Sequence, residues 1–418
     1  MPARHAKHGM RQEEFDVLIV GGGMVGASLA CALAPLALRT AVVEAVPLEA
    51  AGQPSYDDRA TALAWGSRRI LETMGLWSEL AAQAEPIRRI HISDRGRFGF
   101  ARLDAAEEGV EALGYVLENR VLGGALATRL ATEPRVTLFC PATLAEFTIG
   151  TDAVTATLRQ GDETLSCRAR LLVAADGARS QVRERLGIAV RVWDYGQTAI
   201  VTNVTPERPH AGVAYERFTD TGPIACLPLR GDRCTVVWTV ATEEAPALAA
   251  LDEPAFRARL EERFGGRLGR FLKSGARAHY PLALVRAAEQ VHERVVIVGN
   301  AAHSLHPIAG QGFNLSLRDV ACLAEVLAGA ADPGAPATLA AYRDWRVRDQ
   351  RATTLFTDGL ARLFGNPLEP VALARDLGLL AFDLLPFARH VFARYAMGLG
   401  GRLPRLARGV PLTRQSGV

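Results

Sequence analysis

Three separate stretches of this sequence combine glycines with a carboxylate or amide side chain, a combination that suits the binding of phosphates and sugars. The first, FDVLIVGGGMVGASLACAL, holds Gly21, Gly23 and Gly26 in a GxGxxG pattern after the strand-like run Asp16–Val20. The first glycine permits a tight turn, the second lets the backbone approach a pyrophosphate, and the third lets a helix pack on a strand. The stretch therefore predicts a strand, a turn and a helix whose N-terminal amides face an anion.

An acidic residue completes this first unit. Glu44 ends the next apolar run, TAVVEA, where a carboxylate can accept hydrogen bonds from the ribose of an adenosine. Strand, glycines, helix, strand and acid in this order predict a dinucleotide-binding unit. The alternative is a glycine-rich turn in an unrelated α/β domain.

The second stretch is LLVAADGARSQVR. Its strand-like run Leu171–Ala174 leads into Asp176 and Gly177, followed by Ser180 and Arg183. A strand that ends in this way can deliver backbone amides and a carboxylate beside phosphates.

The third stretch, VVIVGNAAHSLHPIAGQGFNLSLRD, lies far along the chain. Its apolar run stops at Gly299, and a helix is predicted to begin near Gly312, with Pro307 and Gly310 between them. A nicotinamide-dependent dehydrogenase needs only one glycine-rich unit, so the two further motifs favour another dinucleotide.

The elements between these motifs must position a substrate. The segments QTAIVTNV, GVAYERFT, PIACLPL and CTVVWTV are rich in β-branched and aromatic residues and predict an antiparallel sheet. One face of the sheet can roof a pocket, with Phe218, Leu227, Pro228 and Trp238 as candidate substrate-lining residues. The alternative for each of the four is a place in the core.

Taken together, the three motifs resemble the GxGxxG, DG and GD fingerprints of class A flavoprotein monooxygenases. The strings HPIAGQGFNL, DRATAL, ERFTDTGPIACLPL and YPLALVRAAEQVHERVVIVGNAAH resemble the ubiquinone-biosynthesis hydroxylases. The asparagine in GNAAH is similar to the UbiH branch, the 2-polyprenyl-6-methoxyphenol hydroxylases. The resemblance covers residues 14 to 410.

The resemblance implies an α/β fold with a Rossmann-like FAD-binding domain, an inserted antiparallel β-sheet substrate domain and C-terminal helices. The length of 418 residues fits such interleaved domains. The expected bounds are a flexible tail at 1–14, a discontinuous FAD-binding domain at 15–75, 105–185 and 285–350, a substrate domain at 76–104 and 186–284, and a helical region at 351–418.

The resemblance also implies which residues hold FAD. Arg59, in DDRATAL, and Arg120, on the predicted helix ENRVLGGALATRLA, match flavin-contacting positions, although a surface salt bridge is the alternative for both. Asn300 stands where the GD motif has aspartate, and its amide can still accept a hydrogen bond from a ribityl hydroxyl. The full set of expected cofactor contacts is Gly21, Gly23, Met24, Val25, Gly26, Glu44, Arg59, Arg120, Asp176, Gly177, Gly299, Asn300, Pro307, Gly310, Gln311, Gly312, Phe313 and Asn314.

In the family, reduced flavin combines with O2 at its C4a position, and a phenol attacks the terminal oxygen of the hydroperoxide. Pro307, Gly310, Gln311 and Gly312 are the expected surroundings of the flavin ring, where a helix N-terminus stabilises an anionic reduced ring. No acid-base residue is assigned. NADH or NADPH is expected to dock transiently beside the second motif.

The expected activity is the hydroxylation of a polyprenylated methoxyphenol. One alternative is a sibling that acts at another ring position or on a soluble aromatic acid. An acid would need a buried arginine in the sheet, and Arg217 is the one flanked by strand residues. An alternative of another class is a non-catalytic flavin-binding scaffold in the ubiquinone assembly.

Composition excludes several other classes of function. With 48 Lys and Arg against 45 Asp and Glu, the net charge is only +3, which does not favour nucleic acid as a partner. The six cysteines form no CxxC pair, so neither a disulfide framework nor a zinc site is expected. His303 and His306 form an HxxH pattern without a third ligand nearby, so no metal is expected there either.

The ends of the chain bear on localisation. The polar N-terminus lacks the apolar core of a signal peptide, and no apolar run is long enough to span a bilayer, so a cytoplasmic protein is expected. The segment from Pro370 onwards is rich in leucine, alanine and arginine. It predicts either a helical cap or a peripheral contact with the inner face of a membrane. Homo-oligomers and a complex with other ubiquinone enzymes are implied by the resemblance.

Overall fold

The computed structural model describes residues 13–48, 59–305, 310–364 and 368–413. These residues form three β-sheets and eleven α-helices. The strands are β1 (Glu13–Val20), β2 (Thr40–Val43), β3 (Ala60–Ala64), β4 (Glu85–Ile87), β5 (Arg89–Asp94), β6 (Phe100–Asp104), β7 (Gly114–Glu118), β8 (Val136–Phe139), β9 (Thr143–Ile149), β10 (Val154–Gln160), β11 (Glu163–Ala174), β12 (Val190–Pro206), β13 (Val213–Thr219), β14 (Gly222–Leu229), β15 (Arg233–Ala241), β16 (Phe271–Ser274), β17 (Ala278–Ala287), β18 (Val291–His292), β19 (Val295–Ile297) and β20 (His303–Ser304). The helices are α1 (Met24–Leu33), α2 (Trp65–Thr73), α3 (Trp77–Leu80), α4 (Asn119–Thr132), α5 (Gln181–Arg185), α6 (Ala245–Ala250), α7 (Glu253–Phe264), α8 (Gln311–Ala328), α9 (Pro336–Phe364), α10 (Glu369–Leu384) and α11 (Pro386–Ala396).

The first sheet carries the three glycine-containing motifs. Its strands β8, β2, β1, β11 and β19 are parallel neighbours in that order, with β18 antiparallel at one edge. Strands β10 and β9 extend the same sheet, since β10 pairs antiparallel with β11 and with β9. Helices α1, α4 and α8 cover one face, and side chains of β9, β10 and α5 pack against the other. Because the sheet is covered on both faces, its central strands are continuous apolar runs. Because β1, β11 and β19 are parallel neighbours, their carboxyl ends lie side by side at one edge of the sheet.

The second sheet has the strand order β20, β17, β12, β15, β14, β13, β5 and β6, with β16 also paired to β12. Its neighbours are antiparallel except for β13 and β5, which are parallel. The antiparallel sheet predicted for the inserted segment is therefore present, with one parallel pair added by the earlier segment that holds β5 and β6. Helices α6 and α7 pack on one face and bury Trp238, Phe256 and Phe264.

The remaining elements close the space between the two large sheets. A small sheet of β3, β7 and β4 lies beside α8, and α10 packs on β6. Helix α9 runs without a break across the domain boundary expected at residue 350. None of the described helices combines the length and the apolar content needed to cross a membrane. The tail predicted for residues 1–14 lies almost wholly outside the described residues.

Candidate active site

A cavity of about 1440 Å³ lies between the first sheet, the second sheet and helices α8 to α11. One end is lined by residues of all three glycine-containing motifs, and the other by apolar side chains of the second sheet and the C-terminal helices. Among the expected cofactor contacts, those that line it are Gly21, Gly23, Met24, Val25, Glu44, Arg59, Asp176, Gly177, Asn300, Gly310, Gln311, Gly312, Phe313 and Asn314.

The turn between β1 and α1 needs its glycines for steric reasons. Gly21 has φ +100°, and a Cβ at this position would lie 2.4 Å from the carbonyl oxygen of Ala175. A Cβ on Gly26 would lie 1.9 Å from the carbonyl oxygen of Gly21. No side chain caps the N-terminus of α1 at Gly23, and its first turn holds no acidic residue. The first amides of α1 therefore remain available to an anion in the cavity.

Glu44 is held in place by two backbone amides. The amide of Gly22 donates to Oε2 at 2.7 Å, and the amide of Val46 donates to Oε1 at 2.8 Å. Each carboxylate oxygen can accept two hydrogen bonds, so both oxygens retain capacity for the hydroxyls of a ribose. The expected role of Glu44 fits this geometry.

The motif after β11 presents a carboxylate with one oxygen in use. Oδ2 of Asp176 accepts a hydrogen bond from the amide of Val182 at 3.2 Å. Oδ1 is buried and has no partner in the described part of the chain. The side chain of Arg183 donates to the carbonyls of Ala178 and Ala301, which ties this loop to the one after β19. A polar ligand group in the cavity would satisfy the buried oxygen of Asp176.

The third motif begins at the end of β19. Gly299 has φ +64°, and a Cβ there would lie 3.1 Å from the side chain of Val25. Asn300 follows with an exposed side chain at the cavity. The structure thus brings the second and third motifs against the first, although Pro307 lies outside the described residues.

Helix α8 begins one residue before the predicted position. Its N-cap, Gly310, has a left-handed backbone, and no side chain caps the helix. The side chain of Asn314 joins β3 to the start of α8. Its amide group donates to the carbonyls of Ala62 and Gly310, and its Oδ1 accepts a hydrogen bond from the amide of Ala64. This residue was expected to contact the cofactor; it lines the cavity, and its three hydrogen bonds also position β3 and the start of the helix.

The two candidate arginines have different locations. Arg59 lines the cavity, and its guanidinium lies 4.8 Å from the centre of the Tyr280 ring. Arg120 is not among the residues that line the cavity, and its guanidinium contacts the carboxylate of Glu118. Arg120 therefore forms a salt bridge, which was the alternative to flavin contact for this residue.

Two of the four expected substrate residues line the cavity, and two do not. Phe218 and Leu227 face it, whereas Pro228 and Trp238 are absent from its lining. Trp238 packs on Phe256 in the core on the opposite face of the sheet. Successive side chains of a strand point to opposite faces, so Leu227 at the cavity directs its neighbour Pro228 away. The expectation for Pro228 and Trp238 is corrected accordingly.

His303 does not belong to a metal site within the described residues. Its Nε2 lies 2.7 Å from Oδ2 of Asp319, and no group of three or more His, Cys, Asp or Glu side chains there could hold a metal ion. His306 lies outside the described residues.

These observations test the fit of FAD to the chain. The glycine turn and the two uncapped helix N-termini suit a pyrophosphate and an anionic ring, and the oxygens of Glu44 and Asp176 suit hydroxyl groups. The cavity exceeds the usual range for small-molecule sites, so it has room for a dinucleotide and a substrate together. The residues present fit the cofactor.

Comparison with known proteins agrees with this fit. A family model described as FAD binding domain matches residues 14–357. The ubiquinone hydroxylase UbiL of Rhodospirillum rubrum is 46% identical over 411 residues, which cover 97% of this chain and 95% of UbiL. The chain belongs to the FAD-dependent hydroxylases of ubiquinone biosynthesis.

Other members and solved structures extend this result. The 3-demethoxyubiquinol 3-hydroxylase of Escherichia coli is 33% identical over 398 residues, covering 93% of this chain and all of that enzyme. The crystal structure of p-nitrophenol 4-monooxygenase PnpA from Pseudomonas putida superposes with a TM-score of 0.77 at 21% identity, over 94% of this chain and 100% of PnpA. That likeness shows the fold. The ubiquinone hydroxylase family is thus supported by sequence, and its FAD-monooxygenase fold by structure.

One residue of this ubiquinone hydroxylase was missed by the sequence analysis. Glu216, in the middle of β13, lines the cavity between Ala214 and Phe218. Its burial raises the pKa of the carboxyl group to about 8. The sequence signal was the alternation in VAYERFT, but alternation alone does not say which of the two faces meets a cavity.

Proposed function

We propose that this enzyme hydroxylates the ring of 2-polyprenyl-6-methoxyphenol on the route to ubiquinone, with FAD as cofactor, NADH or NADPH as reductant and O2 as the source of oxygen. One observation carries the proposal. A single cavity has groups suited to phosphates and ribose at one end and an apolar wall at the other. FAD, when bound, supplies hydride acceptance and oxygen activation.

The chain's own residues have separate tasks in this proposal. The amides at the start of α1 would bind the pyrophosphate, and the carboxylate of Glu44 would bind the ribose of the adenosine. Asp176 and Asn300 would bind hydroxyls of the ribityl chain. The uncapped start of α8 at Gly310 would stabilise negative charge on the reduced ring. The apolar wall would exclude water from the reacting atoms.

The character of the wall supports a neutral, lipophilic ring. It includes Ile90, Ile92, Leu103, Leu227, Leu360, Leu379, Phe382 and Phe392. Arg217, the arginine that an acidic substrate would need, is absent from the lining and lies near Gly265. Arg375 also lines this part of the cavity, but its guanidinium is already paired with Asp94. A substrate carboxylate would therefore compete with Asp94 for its only charged partner among the described residues there, which is costly in an apolar setting.

Complementation tests the proposal. Cells that lack the 2-polyprenyl-6-methoxyphenol hydroxylase would receive this chain or its Gly21→Ala variant as a flavin-deficient control, and quinone intermediates would be measured by mass spectrometry during aerobic growth. Restored ubiquinone with the parent chain alone supports the proposal. Failure by an FAD-loaded protein, with restoration in a strain lacking a hydroxylase for another ring position, would assign it there; failure in all such strains would favour a soluble aromatic.

A second part of the proposal concerns the membrane. Helix α10 lines the cavity with Val371, Leu379 and Phe382, yet exposes Leu373 and Leu377 on another side. The next residues continue this exposed apolar surface, with Leu384 79% and Phe387 81% exposed. We propose that this surface, formed by Leu373, Leu377, Leu384, Leu385, Phe387 and Val391 and called here the α10–α11 apolar surface, contacts an anionic lipid bilayer.

Charge and position favour lipid as the occupant. Arg394 is exposed on α11, one helical turn beyond Val391 and two beyond Phe387, so it lies on the same side as both. A basic side chain beside exposed apolar residues suits the head groups of anionic lipid. The surface also adjoins the cavity, so a prenyl tail could pass from lipid into the site along α10. Binding to vesicles of phosphatidylglycerol, compared with phosphatidylcholine, tests this contact.

The scaffold alternative makes a different prediction. A non-catalytic flavin protein would bind FAD without substrate-stimulated oxidation of NADH or NADPH, so that stimulation would dismiss it. Homo-oligomers and a complex with other ubiquinone enzymes stay predictions that follow from the family, and size measurement of the purified protein would test the first.

A further inference from the structure

Glu216 occupies the middle of an otherwise apolar row across the second sheet. In register, Ala101 pairs with Ile92, Ile92 with Glu216, Glu216 with Ala225, and Ala225 with Val237. All five residues line the cavity. Along β13 the neighbours on the same face are Ala214 and Phe218. A carboxyl group is thus surrounded on its face by apolar side chains.

No described residue of the chain forms a hydrogen bond or an ion pair with this carboxyl group. Loss of hydration is what raises its pKa to about 8. Glu216 is half-buried, and an acid without a partner in an apolar wall costs stability. Such residues are found where a ligand completes them. Its side chain opens towards the cavity, where a substrate would lie.

We infer that Glu216 is a catalytic residue that accepts the proton of the substrate's ring hydroxyl. This inference rests on the proposed function. The carboxylate would take the proton as the O–H bond of the phenol breaks, and the electron pair would stay on the ring oxygen. That charge makes the ring carbons more nucleophilic towards the oxygen that the family's flavin chemistry delivers. After oxygen transfer, Glu216 returns its proton to the carbonyl formed at the ring oxygen. The attacked carbon loses its own proton, which ends in the water formed from the second oxygen atom of O2.

The chemistry suits the position. A general base is most effective when its pKa lies near the working pH, and a carboxylate in an apolar wall meets that condition better than one in water. The other titratable groups of the cavity are not placed to act as this base. Those that line the same cavity, as far as the chain is described, are Glu44, Arg59, Asp176 and Arg179 at the nucleotide end, with Tyr215 on the same strand and Arg375 on α10. Arg375 is already paired with Asp94.

The other face of β13 does not supply a competing partner. Arg217 is directed away from the cavity, and burial together with the nearby charge of Arg267 lowers its pKa. His91, on β5, also has its pKa lowered by burial and by Arg267, and it stacks with Phe100 outside the cavity lining. Tyr215 lines the cavity as well, but burial raises the pKa of its hydroxyl, so it stays protonated and cannot accept a proton. Among the described groups of this sheet, Glu216 is therefore the one suited to take the proton of the substrate.

The test compares the parent enzyme with Glu216→Gln and with Asp220→Asn. Asp220 lies just beyond the end of β13, is exposed, and pairs with Arg263 outside the cavity, so its variant makes the same acid-to-amide exchange away from the site. FAD content, thermal unfolding and the rate of flavin reduction by NADH or NADPH would be measured first, and all three proteins should agree. A folding or cofactor defect would show at this stage.

Hydroxylation of a short-chain prenylated methoxyphenol would then be followed from pH 6 to 10. We expect kcat/KM of the parent enzyme and of Asp220→Asn to rise with pH through about 8, as Glu216 loses its proton. Glu216→Gln should be slower by roughly 100-fold or more and should lack that rise, because general-base catalysis contributes about 10²–10⁴. Unchanged rate and pH profile in Glu216→Gln would overturn the assignment.

A binding measurement separates this inference from the proposed function. The same phenol would be titrated into oxidised, FAD-loaded enzyme and followed by the change in flavin absorbance. A parent enzyme that neither binds nor hydroxylates phenols would overturn both the proposed function and the role of Glu216. A parent enzyme that turns over, with a variant equally active, would overturn only the role of Glu216.

Discussion

Nε2 of His303 lies 2.7 Å from Oδ2 of Asp319, so the strand that precedes residues 306–309 is joined to the helix that follows them. The other oxygen of Asp319 accepts hydrogen bonds from Arg346 and Gln350 of α9. Burial alone would raise the pKa of Asp319, but Arg346 and His303 more than offset it and hold the pKa well below the usual range. A buried carboxylate therefore fixes both ends of the third motif.

Asp319→Asn tests this arrangement. Breaking a buried ion pair typically costs about 3–5 kcal/mol, so the free energy of unfolding at pH 7 should fall by that order. The ionised form of Asp319 contributes stability above its ordinary pKa near 3.8, and this is lost as the pH falls through and below that value. The variant should therefore show a flatter loss of stability as the pH falls from about 5 to about 2. Urea unfolding with Asp344→Asn, an exposed ion-pair partner, as control would check both effects.

The glycine turn gives a second prediction. Gly21→Ala and Gly26→Ala should lose bound FAD, because the added Cβ would lie 2.4 Å and 1.9 Å from backbone carbonyl oxygens. Gly124→Ala is the matched control, since it lies on α4 with no atom within 4 Å of the added Cβ. Its helix should become more stable by roughly 0.5–1 kcal/mol. FAD content from the absorbance of purified protein decides the matter, and a fully yellow Gly26→Ala would contradict the role of the turn.

Asp176 and Asn300 give opposite predictions for affinity. Oδ1 of Asp176 is buried and has no partner among the described residues, so it is the oxygen that FAD would contact. Asp176→Asn removes the negative charge of this carboxylate, and Kd for FAD should rise about tenfold or more. Asn300→Asp should lower Kd several-fold if the side chain accepts from a ribityl hydroxyl, since a charged acceptor makes the stronger hydrogen bond. Fluorescence titration of the apoprotein measures both. Asp152→Asn, exposed in the turn between β9 and β10, should change neither.

The α10–α11 apolar surface can be tested with a double substitution. Leu384→Glu with Phe387→Glu should reduce binding to phosphatidylglycerol vesicles at least tenfold, because each Leu or Phe removed from water contributes roughly 1.5–3 kcal/mol. Hydroxylation of a short-chain phenol in solution should persist. The control exchanges Val192 and Leu272, which are 59% and 51% exposed on the second sheet, for glutamate. Equal vesicle binding by both double variants would exclude this surface as the membrane contact.

The sequence predicted the cofactor half of the site better than the substrate half, for a physical reason. Gly21, Gly26 and Glu44 act through local backbone geometry, and their spacing is fixed by strand β1, a turn, helix α1 and strand β2. Asp176 and Gly299 follow strands of the same parallel sheet, so the carboxyl ends of those strands bring them together. Local patterns were sufficient there.

The substrate half depends on which face of a strand meets the cavity. Trp238 and Glu216 both lie in strands that the sequence predicted, yet one side chain is in the core and the other is at the cavity. A shift of one residue exchanges the two faces, and the alternation in β13 is compatible with either. The role of Asn314 was also beyond the sequence, because its partners Ala62 and Ala64 are some 250 residues away.

The central parallel sheet has a consequence for synthesis of the protein. Strand β19 joins β11 only after residue 297 has been made, and Asn314 then secures β3, which was made far earlier. A nascent chain on the ribosome therefore cannot assemble the flavin pocket until about three quarters of it has emerged. FAD can therefore bind only after most of the chain has been made, and a chain that has not bound FAD lacks the stabilisation that a ligand of the folded state provides.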